Sequence, residues 1–380
     1  MRFHLLAGLL GMAALAAAHV ALAAPTLYAV NPFSNTSASS DTFGLYALNP
    51  ADASVLASQV ITVPGRTITG ANGLAMDPTS HVAYAIVRAS GVSGRLLVTL
   101  DLATGVGTEV GNLGDNFASI AFRSDGQLFG VTGDGATVPE TLYTIDKATA
   151  AKTLAVSLGN GADGEVIAYN PVSGEFHHFS GNGTVIHERF PATAPYTPIT
   201  NVSPSMGTGE IFGAVWNPSQ SRFYLSNISS QLLTVDAAGT LGPVLGSTPN
   251  DLRGLILQLD QAITAFAPAT TAVANGPPIT LTATAGPSTQ PMVFSTTSAA
   301  GICTVSGNQV TYVGPGTCTL LANQAGDASY AAAPPVSVDV LVSAPPPARP
   351  TAVPTLGTLA LGALAGMLGL LGGWRRRHRV

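Results

Sequence analysis

The first two thirds of the chain repeat one pattern of apolar and polar positions. Each copy has an apolar strand, a turn rich in Asp, Asn, Pro, Ser and Gly, and a second strand. The copies start 46, 47 and 47 residues apart: LAMDPTSHVAYAI from Leu74, IAFRSDGQLFGVT from Ile120, IAYNPVSGEFHHFS from Ile167 and AVWNPSQSRFYLSN from Ala214. A third strand phrase follows, as in LLVTLDLATG from Leu96. Short apolar runs separated by turn residues are typical of antiparallel strands.

A repeat of this length with several short strands predicts an all-β fold, a β-propeller. The chain begins with strands that lack a first-strand phrase, whereas Leu252–Asp260 is a first-strand phrase with nothing after it. We therefore expect Leu252–Asp260 to complete the blade that begins at Thr26, which gives five blades. The number would be six if Phe190–Gly209 contained a divergent blade. Over residues 24–260 the repeat resembles secreted bacterial propellers of the YVTN and gluconolactonase-like kind.

The N-terminus has the features of a secretory signal peptide. Arg2 provides the positive start, Leu5–Ala18 form an apolar core, and Ala21–Ala23 are a small-x-small cleavage signal. The pattern predicts a signal peptide over 1–23. An uncleaved membrane anchor is the alternative. An exported chain with few basic residues is also a poor match for nucleic acid, because removing both ends leaves ten Lys and Arg against twenty Asp and Glu.

The C-terminus combines a proline-containing motif, an apolar stretch and a basic end. Residues 356–374 carry no charge and are long enough to span a bilayer as a helix. The arrangement over 353–380 resembles the PEP-CTERM and IPTL-CTERM sorting signals of Gram-negative bacteria. That resemblance implies processing by an exosortase-type membrane protease, and the alternative is an ordinary tail anchor. The motif comprises Val353, Pro354, Thr355 and Leu356, and the membrane stop comprises Trp374, Arg375, Arg376, Arg377 and Arg379.

A second domain is predicted over 261–342, where the repeat ends. Alternating strands and the phrase CTVSGNQVTYVGPGTCTLLANQAGDASY resemble bacterial Ig-like repeats, which implies an antiparallel β-sandwich. Cys303 and Cys318 are the only cysteines, and a single pair in an exported chain predicts a disulfide. The proline-rich segment 343–354 is predicted to be a semi-rigid linker.

Polar residues cluster in the loops that lead into the repeated first strands. Such loops gather at the channel mouth of a propeller, where ligands usually bind. Gluconolactonase-like propellers hold a divalent metal with Glu, Asn and Asp in this region, and oxygen ligands of this type suit Ca²⁺. The competing interpretation is that Asp and Asn only shape tight turns. The candidates are Asn72, Asn116, Asp163, Glu165, Glu210, Asp251 and Arg253, with Asp115 in the same set of loops.

The histidines do not complete a zinc set. His177 and His178 are adjacent, so they face opposite sides of a strand, and one of them could meet His187 across a hairpin. Two ligands at most would result, and no Cys or acidic motif supplies the rest. We expect these histidines to be solvated strand residues.

Two functions remain open from the sequence. The first is a non-enzymatic binding or structural protein, exported to the cell envelope, surface or extracellular matrix of a Gram-negative bacterium and without a cofactor. Its expected partners are an exosortase-type protease, the membrane before processing, and an extracellular polysaccharide or another surface protein. The second is a secreted metal-dependent hydrolase, lactonase or lyase that acts at the channel mouth. At least three of these carboxylate and amide groups within coordination range of one point would favour the enzyme.

Overall fold

The computed structural model describes residues 25–33, 44–159, 165–181, 185–327, 329–347 and 357–376, without the side chains of 358, 359 and 371–376. The predicted signal peptide, the sorting motif, Asp163, Arg377 and Arg379 lie outside the described residues.

Twenty strands of the first domain form five four-stranded antiparallel sheets. The first sheet contains β1 (Thr26–Val30), β2 (Leu45–Leu48) and β3 (Val55–Gln59). Four sheets of consecutive strands follow: β4 (Ile68–Met76), β5 (Ala83–Ala89), β6 (Leu96–Leu100) and β7 (Gly107–Asn112); β8 (Phe117–Phe122), β9 (Leu128–Thr132), β10 (Thr141–Ile145) and β11 (Lys152–Ser157); β12 (Val166–Asn170), β13 (Glu175–Ser180), β14 (Ile186–Pro191) and β15 (Thr200–Ser203); β16 (Ile211–Asn217), β17 (Arg222–Asn227), β18 (Gln231–Asp236) and β19 (Leu241–Ser247). The last strand, β20 (Arg253–Gln258), is the fourth member of the first sheet.

The five sheets form a closed ring. Their innermost strands contact one another in the order β4, β8, β12, β16, β20 and back to β4. Five apolar cores lie between neighbouring sheets, and each core takes residues from both of them. Fully buried aromatic rings such as Phe117, Phe129, Phe176 and Phe223 fill these cores. No sheet buries both faces alone, so each sheet depends on its two neighbours.

The ring closes where the end of the repeat region pairs with its beginning. Strand β20 is antiparallel to β1, with Leu257 opposite Leu27 and Ile256 opposite Tyr28. Gly254 makes the approach to β4 close, because its φ is +52° and a Cβ there would lie 2.2 Å from the Leu74 nitrogen. The predicted closure of the first blade by Leu252–Asp260 is therefore what the structure contains.

The β-propeller predicted from the repeat is confirmed, with five sheets among the described residues. The segment Phe190–Gly209 does not form a further blade. It contains the end of β14 and all of β15, which is the outer strand of the fourth sheet. This outer strand is separated from β14 by a longer connection than in the other sheets, which explains why the segment was long enough to suggest a divergent blade.

The region after the propeller contains two small sheets that share one apolar core. One sheet has the order β21 (Thr271–Val273), β27 (Val336–Ser343), β26 (Gly316–Gln324), β23 (Met292–Thr296), with β21 and β27 parallel. The other has the order β22 (Ile279–Thr280), β25 (Gln309–Tyr312), β24 (Cys303–Ser306). The predicted disulfide is present, with an S–S distance of 2.03 Å between Cys303 and Cys318, and it joins β24 of one sheet to β26 of the other.

The two regions touch directly at the end of β20. The Leu259 N–H donates to the Ser329 carbonyl at 2.6 Å, and the Ala331 N–H donates to the Leu259 carbonyl at 2.8 Å. Gln261 adds side-chain hydrogen bonds to the Ala325 and Ala331 carbonyls at 3.1 and 2.7 Å. The connection between the two regions is therefore held by hydrogen bonds as well as by the chain itself.

A helix, α1 (Thr358–Arg376), occupies the C-terminal region. Among the described residues, no helix is both long enough and apolar enough to cross a membrane, so the span predicted over 356–374 is not found in this part of the chain.

Candidate functional site

One end of the propeller axis carries a polar cavity of about 400 Å³. It lies where the five innermost strands begin, because each of those strands starts at the same end of the ring. Residues in or just before β4, β8, β12, β16 and β20 line it. Every sheet therefore contributes to one site on the axis, which is the usual place for a propeller ligand.

Six of the seven residues predicted at the channel mouth line this cavity. They come from five different repeats, so their convergence follows from the ring and not from sequence proximity. Asp163 lies outside the described residues, and Asp115 does not line the cavity but accepts hydrogen bonds from the Asn116 and Thr137 N–H groups, as a turn residue would. The six are Asn72, Asn116, Glu165, Glu210, Asp251 and Arg253.

Of the arginines on the basic side of the cavity, the sequence prediction named Arg253 and missed Arg88 and Arg95. Arg95 lines it beside Arg253, and Arg88 lies close enough to both to affect their charge. Arg88 is the penultimate residue of β5 and Arg95 directly precedes β6, so both flank the loop at the cavity end of the second sheet. The sequence did contain a signal for Arg88 and Arg95, because arginines are scarce in this chain and these two flank one short loop.

Burial dominates the electrostatics of these arginines. It lowers the pKa of Arg95 to about 10, and the positive charges of Arg88 and Arg253 add to that effect. Burial also lowers the pKa of Arg253, although Asp251 opposes the shift. The Arg253 guanidinium lies 3.9 Å from the Phe212 ring centre and 3.5 Å from an Asp251 carboxylate oxygen. Arg253 is thus held between an aromatic face and one carboxylate.

Several buried polar atoms at this end have no partner among the described residues. They are the Nε atoms of Arg88, Arg95 and Arg253 and the Oδ1 atom of Asn72. Buried polar atoms normally form hydrogen bonds, and those that do not need a specific explanation. Donors and an acceptor without partners around one cavity are what a ligand site presents before its ligand binds.

The acidic side of the cavity is tied into the fourth sheet. Glu165 lines the cavity, accepts a hydrogen bond from Ser180 Oγ at 2.7 Å, and contacts the buried His178 ring. The other ring nitrogen of His178 lies 3.4 Å from Glu188. Burial alone would lower the pKa of His178, but the hydrogen bonds to Glu165 and Glu188 outweigh it and raise the pKa to about 9. A protonated His178 therefore lies between Glu165 and Glu188.

The expectation that the strand histidines are solvated is wrong. His177, His178 and His187 are fully buried. The predicted contact across the hairpin exists, with His177 Nδ1 2.8 Å from His187 Nε2, and Phe179 stacks on His187. Burial lowers the pKa of His177 to about 3 and that of His187 to about 4. These two rings are neutral packing residues between the fourth and fifth sheets.

The described carboxylates do not fit the divalent metal site that the resemblance to gluconolactonase-like propellers implied. Glu165 is engaged by His178 and Ser180, and Asp251 faces Arg253. Within the described ranges, no group of three or more His, Cys, Asp or Glu is placed to hold a metal ion. Ligands for Ca²⁺ must converge on one point, whereas Glu165 and Asp251 each contact a cationic neighbour.

The opposite end of the axis has a different chemistry. A cavity of about 250 Å³ lies where the innermost strands end, and mostly apolar residues such as Ile120, Trp216 and Leu257 line it. Ser329 of the second region lies at its edge. The charged cavity is therefore at the end of the propeller away from the two small sheets.

No protein-family profile matches this chain, and no curated protein matches it in sequence. Solved structures with similarity to it include TolB from Acinetobacter baumannii, at 12% identity over 84% of this chain and 67% of that chain with a TM-score of 0.39. Hydrazine synthase of Kuenenia stuttgartiensis is similar at 11% identity over 60% and 67%, with a TM-score of 0.34. A putative TolB from Agrobacterium tumefaciens is similar at 12% identity over 62% and 98%, with a TM-score of 0.37. The propeller fold rests on the five sheets of this chain and not on these likenesses.

The buried charge on His178 generates a pH prediction. Because its folded pKa of about 9 lies above the ordinary value of 6.5, the stability it contributes is complete below pH 6.5 and is lost as the pH rises to 9. We expect the free energy of unfolding to fall by about 3 kcal/mol across that window. Urea unfolding at several pH values measures it, and His178→Gln should remove the slope.

The matched control is His81→Asn, a partly exposed histidine in a turn of the second sheet whose φ of +59° asparagine accepts. It should keep the slope of the unmodified protein. A His178→Gln variant whose stability still declines across the same pH window would contradict the assignment of a protonated His178.

Proposed function

We propose that this chain is an exported binding protein of the cell surface or extracellular matrix of a Gram-negative bacterium, and that its axial cavity holds a ligand without chemical turnover. The observation that carries the binding role is the cavity itself. Polar side chains from all five sheets converge there, and four of the nearby buried polar atoms have no partner among the described residues. Its volume lies in the range of small-molecule sites.

The rigidity of the site supports binding. The cavity is built on the first strands of five sheets, which pack against each other around the axis, so little ordering is needed when a ligand enters. Arg253 is stacked on Phe212, and Glu165 is fixed by Ser180 and His178. Side chains held in this way select a ligand by shape and charge.

We further propose that residues 261–342 are an Ig-like spacer module. Two sheets over one core and a disulfide that joins them support this assignment, together with the resemblance of the sequence. The module touches the propeller at the end away from the charged cavity. A spacer in that position leaves the cavity accessible to a ligand in the medium.

For the C-terminal tail, we propose processing near Val353–Leu356 by an exosortase-type protease. The order of the proline-containing motif, the apolar stretch and the basic end supports it. In cells that carry such a protease, the intact mass of the exported protein should lack Trp374 and the four arginines that follow it. A mass that still includes those residues would contradict processing and favour an ordinary tail anchor.

The binding role is tested with a defined panel of neutral and acidic oligosaccharides, using dextran, laminarin and alginate fragments. We expect at least one of them to bind, and Ala118→Trp to reduce its affinity at least tenfold by filling the cavity, which Ala118 lines. Ala57→Trp, on the exposed outer strand β3, is the matched control and should bind normally. Isothermal titration calorimetry measures both variants.

The same samples distinguish binding from catalysis. Oligosaccharides recovered after long incubation with the protein should have unchanged length by mass spectrometry. If the unmodified protein shortens the oligosaccharides and Ala118→Trp does not, the hydrolase or lyase alternative is supported. If Ala118→Trp binds the oligosaccharides as tightly as the unmodified protein, the cavity is not the binding site.

A further inference from the structure

The basic side of the axial cavity contains arginines that have no carboxylate within ion-pair distance. Arg88 and Arg95 form no ion pair among the described residues, whereas Arg253 faces Asp251 at 3.5 Å. The carboxylates of Asp134, Glu165, Glu210 and Asp251 also line the cavity, and Glu165 contacts the buried His178 ring. Arg88 and Arg95 therefore remain without a paired carboxylate at this end of the ring.

Placing arginines together in this way is unfavourable for the protein alone. Burial and the neighbouring Arg88 and Arg253 charges all lower the pKa of Arg95. Burying a charge without a partner costs free energy, and like charges add to that cost. An anion that binds between the guanidinium groups would remove both penalties.

The backbone makes room for this arrangement. Gly70 pairs with Arg88 across β4 and β5, and its φ is +152°. A Cβ at that position would lie 2.6 Å from Arg88 Nη2 and 2.1 Å from the Pro32 carbonyl oxygen. Glycine at this position thus allows the Arg88 side chain to lie at the cavity end of the sheet.

We propose that the axial cavity binds a hydroxylated carboxylate, of the uronic acid type, with the carboxylate between Arg95 and Arg253. This assignment rests on the proposed binding function and specifies the chemical class of the ligand. The planar guanidinium fork matches a carboxylate, and paired N–H donors give the strongest of such contacts. The unpartnered Oδ1 of Asn72, whose residue is only 5% exposed, needs a donor, which a ring hydroxyl supplies and a carboxylate does not.

The experiment compares D-glucuronate with D-glucose by isothermal titration calorimetry at low ionic strength. The two sugars share a ring and most of their hydroxyl groups and differ in the carboxylate. We expect glucuronate to bind at least tenfold more tightly than glucose, since hydrogen bonds to a charged group are stronger than those between neutral groups. Inorganic sulfate, which lacks carbon-bound hydroxyl groups, should bind more weakly than glucuronate. A glucuronate-terminated oligosaccharide, run in parallel, distinguishes a polymer end from the free sugar acid.

Arg95→Gln should reduce the affinity for glucuronate at least tenfold, and by more than it reduces the affinity for glucose. Arg95→Lys, which keeps the charge without the fork, should lose less. Arg66→Gln is the matched control, because Arg66, in the connection between β3 and β4, is paired with Glu109 of the outer strand β7 and does not line the cavity. Without ligand, Arg95→Gln should melt at the same temperature or higher, since it removes an unbalanced charge; a purely structural arginine would give a lower melting temperature.

Two results would overturn the ligand class while leaving the binding function intact. One is equal affinity for glucose and glucuronate, and the other is full glucuronate binding by folded Arg95→Gln. If the variant folds poorly, the unmodified protein still decides the question, because glucuronate affinity must fall as sodium chloride is raised. An affinity that does not change with salt would contradict the proposal. If no sugar of either charge binds, the proposed function itself fails.

Discussion

The pairing of β20 with β1 is the contact on which the rest of the propeller depends. It joins the end of the repeat region to its beginning and makes the first sheet complete. Each sheet has an apolar core on both sides, so an open ring would expose the faces of the first and fifth sheets to water. At Gly254 the strand also approaches β4 too closely for any side chain. Closure therefore rests on backbone pairing, apolar burial and one glycine.

Closure also determines what the two ends of the axis can do. The innermost strands run in the same direction, so their starts gather charged residues at one end and their ends gather apolar residues at the other. The second region contacts the apolar end through Leu259 and Ser329. The charged end stays accessible to the proposed ligand. Arg253, which belongs to the closing strand, lines the cavity there, so ring closure and the proposed binding site share one element.

The sequence predicted the features that depend on period and missed those that depend on contacts across the ring. The repeat predicted the sheets, the closing strand and six residues of the cavity, because every copy places its first-strand loop at the same end. Arg95 and the buried His178 were not recognised, since their roles depend on neighbours far away in the chain. The histidines were expected in solvent because the alternation of residues along a strand does not show whether one face or both faces of the sheet are buried. In this ring, neighbouring sheets cover both faces.

Native-state hydrogen exchange of the β1 and β20 amides tests the closure most directly. If the ring is one cooperative unit, these amides exchange only through global unfolding, with the same free energy of opening as the amides of β8 and β12. Exchange of β1 and β20 at a distinctly lower free energy, while β8 and β12 stay protected, would show that the ring opens at this seam. Such a result would contradict the dependence of the fold and of its cavity on this pairing.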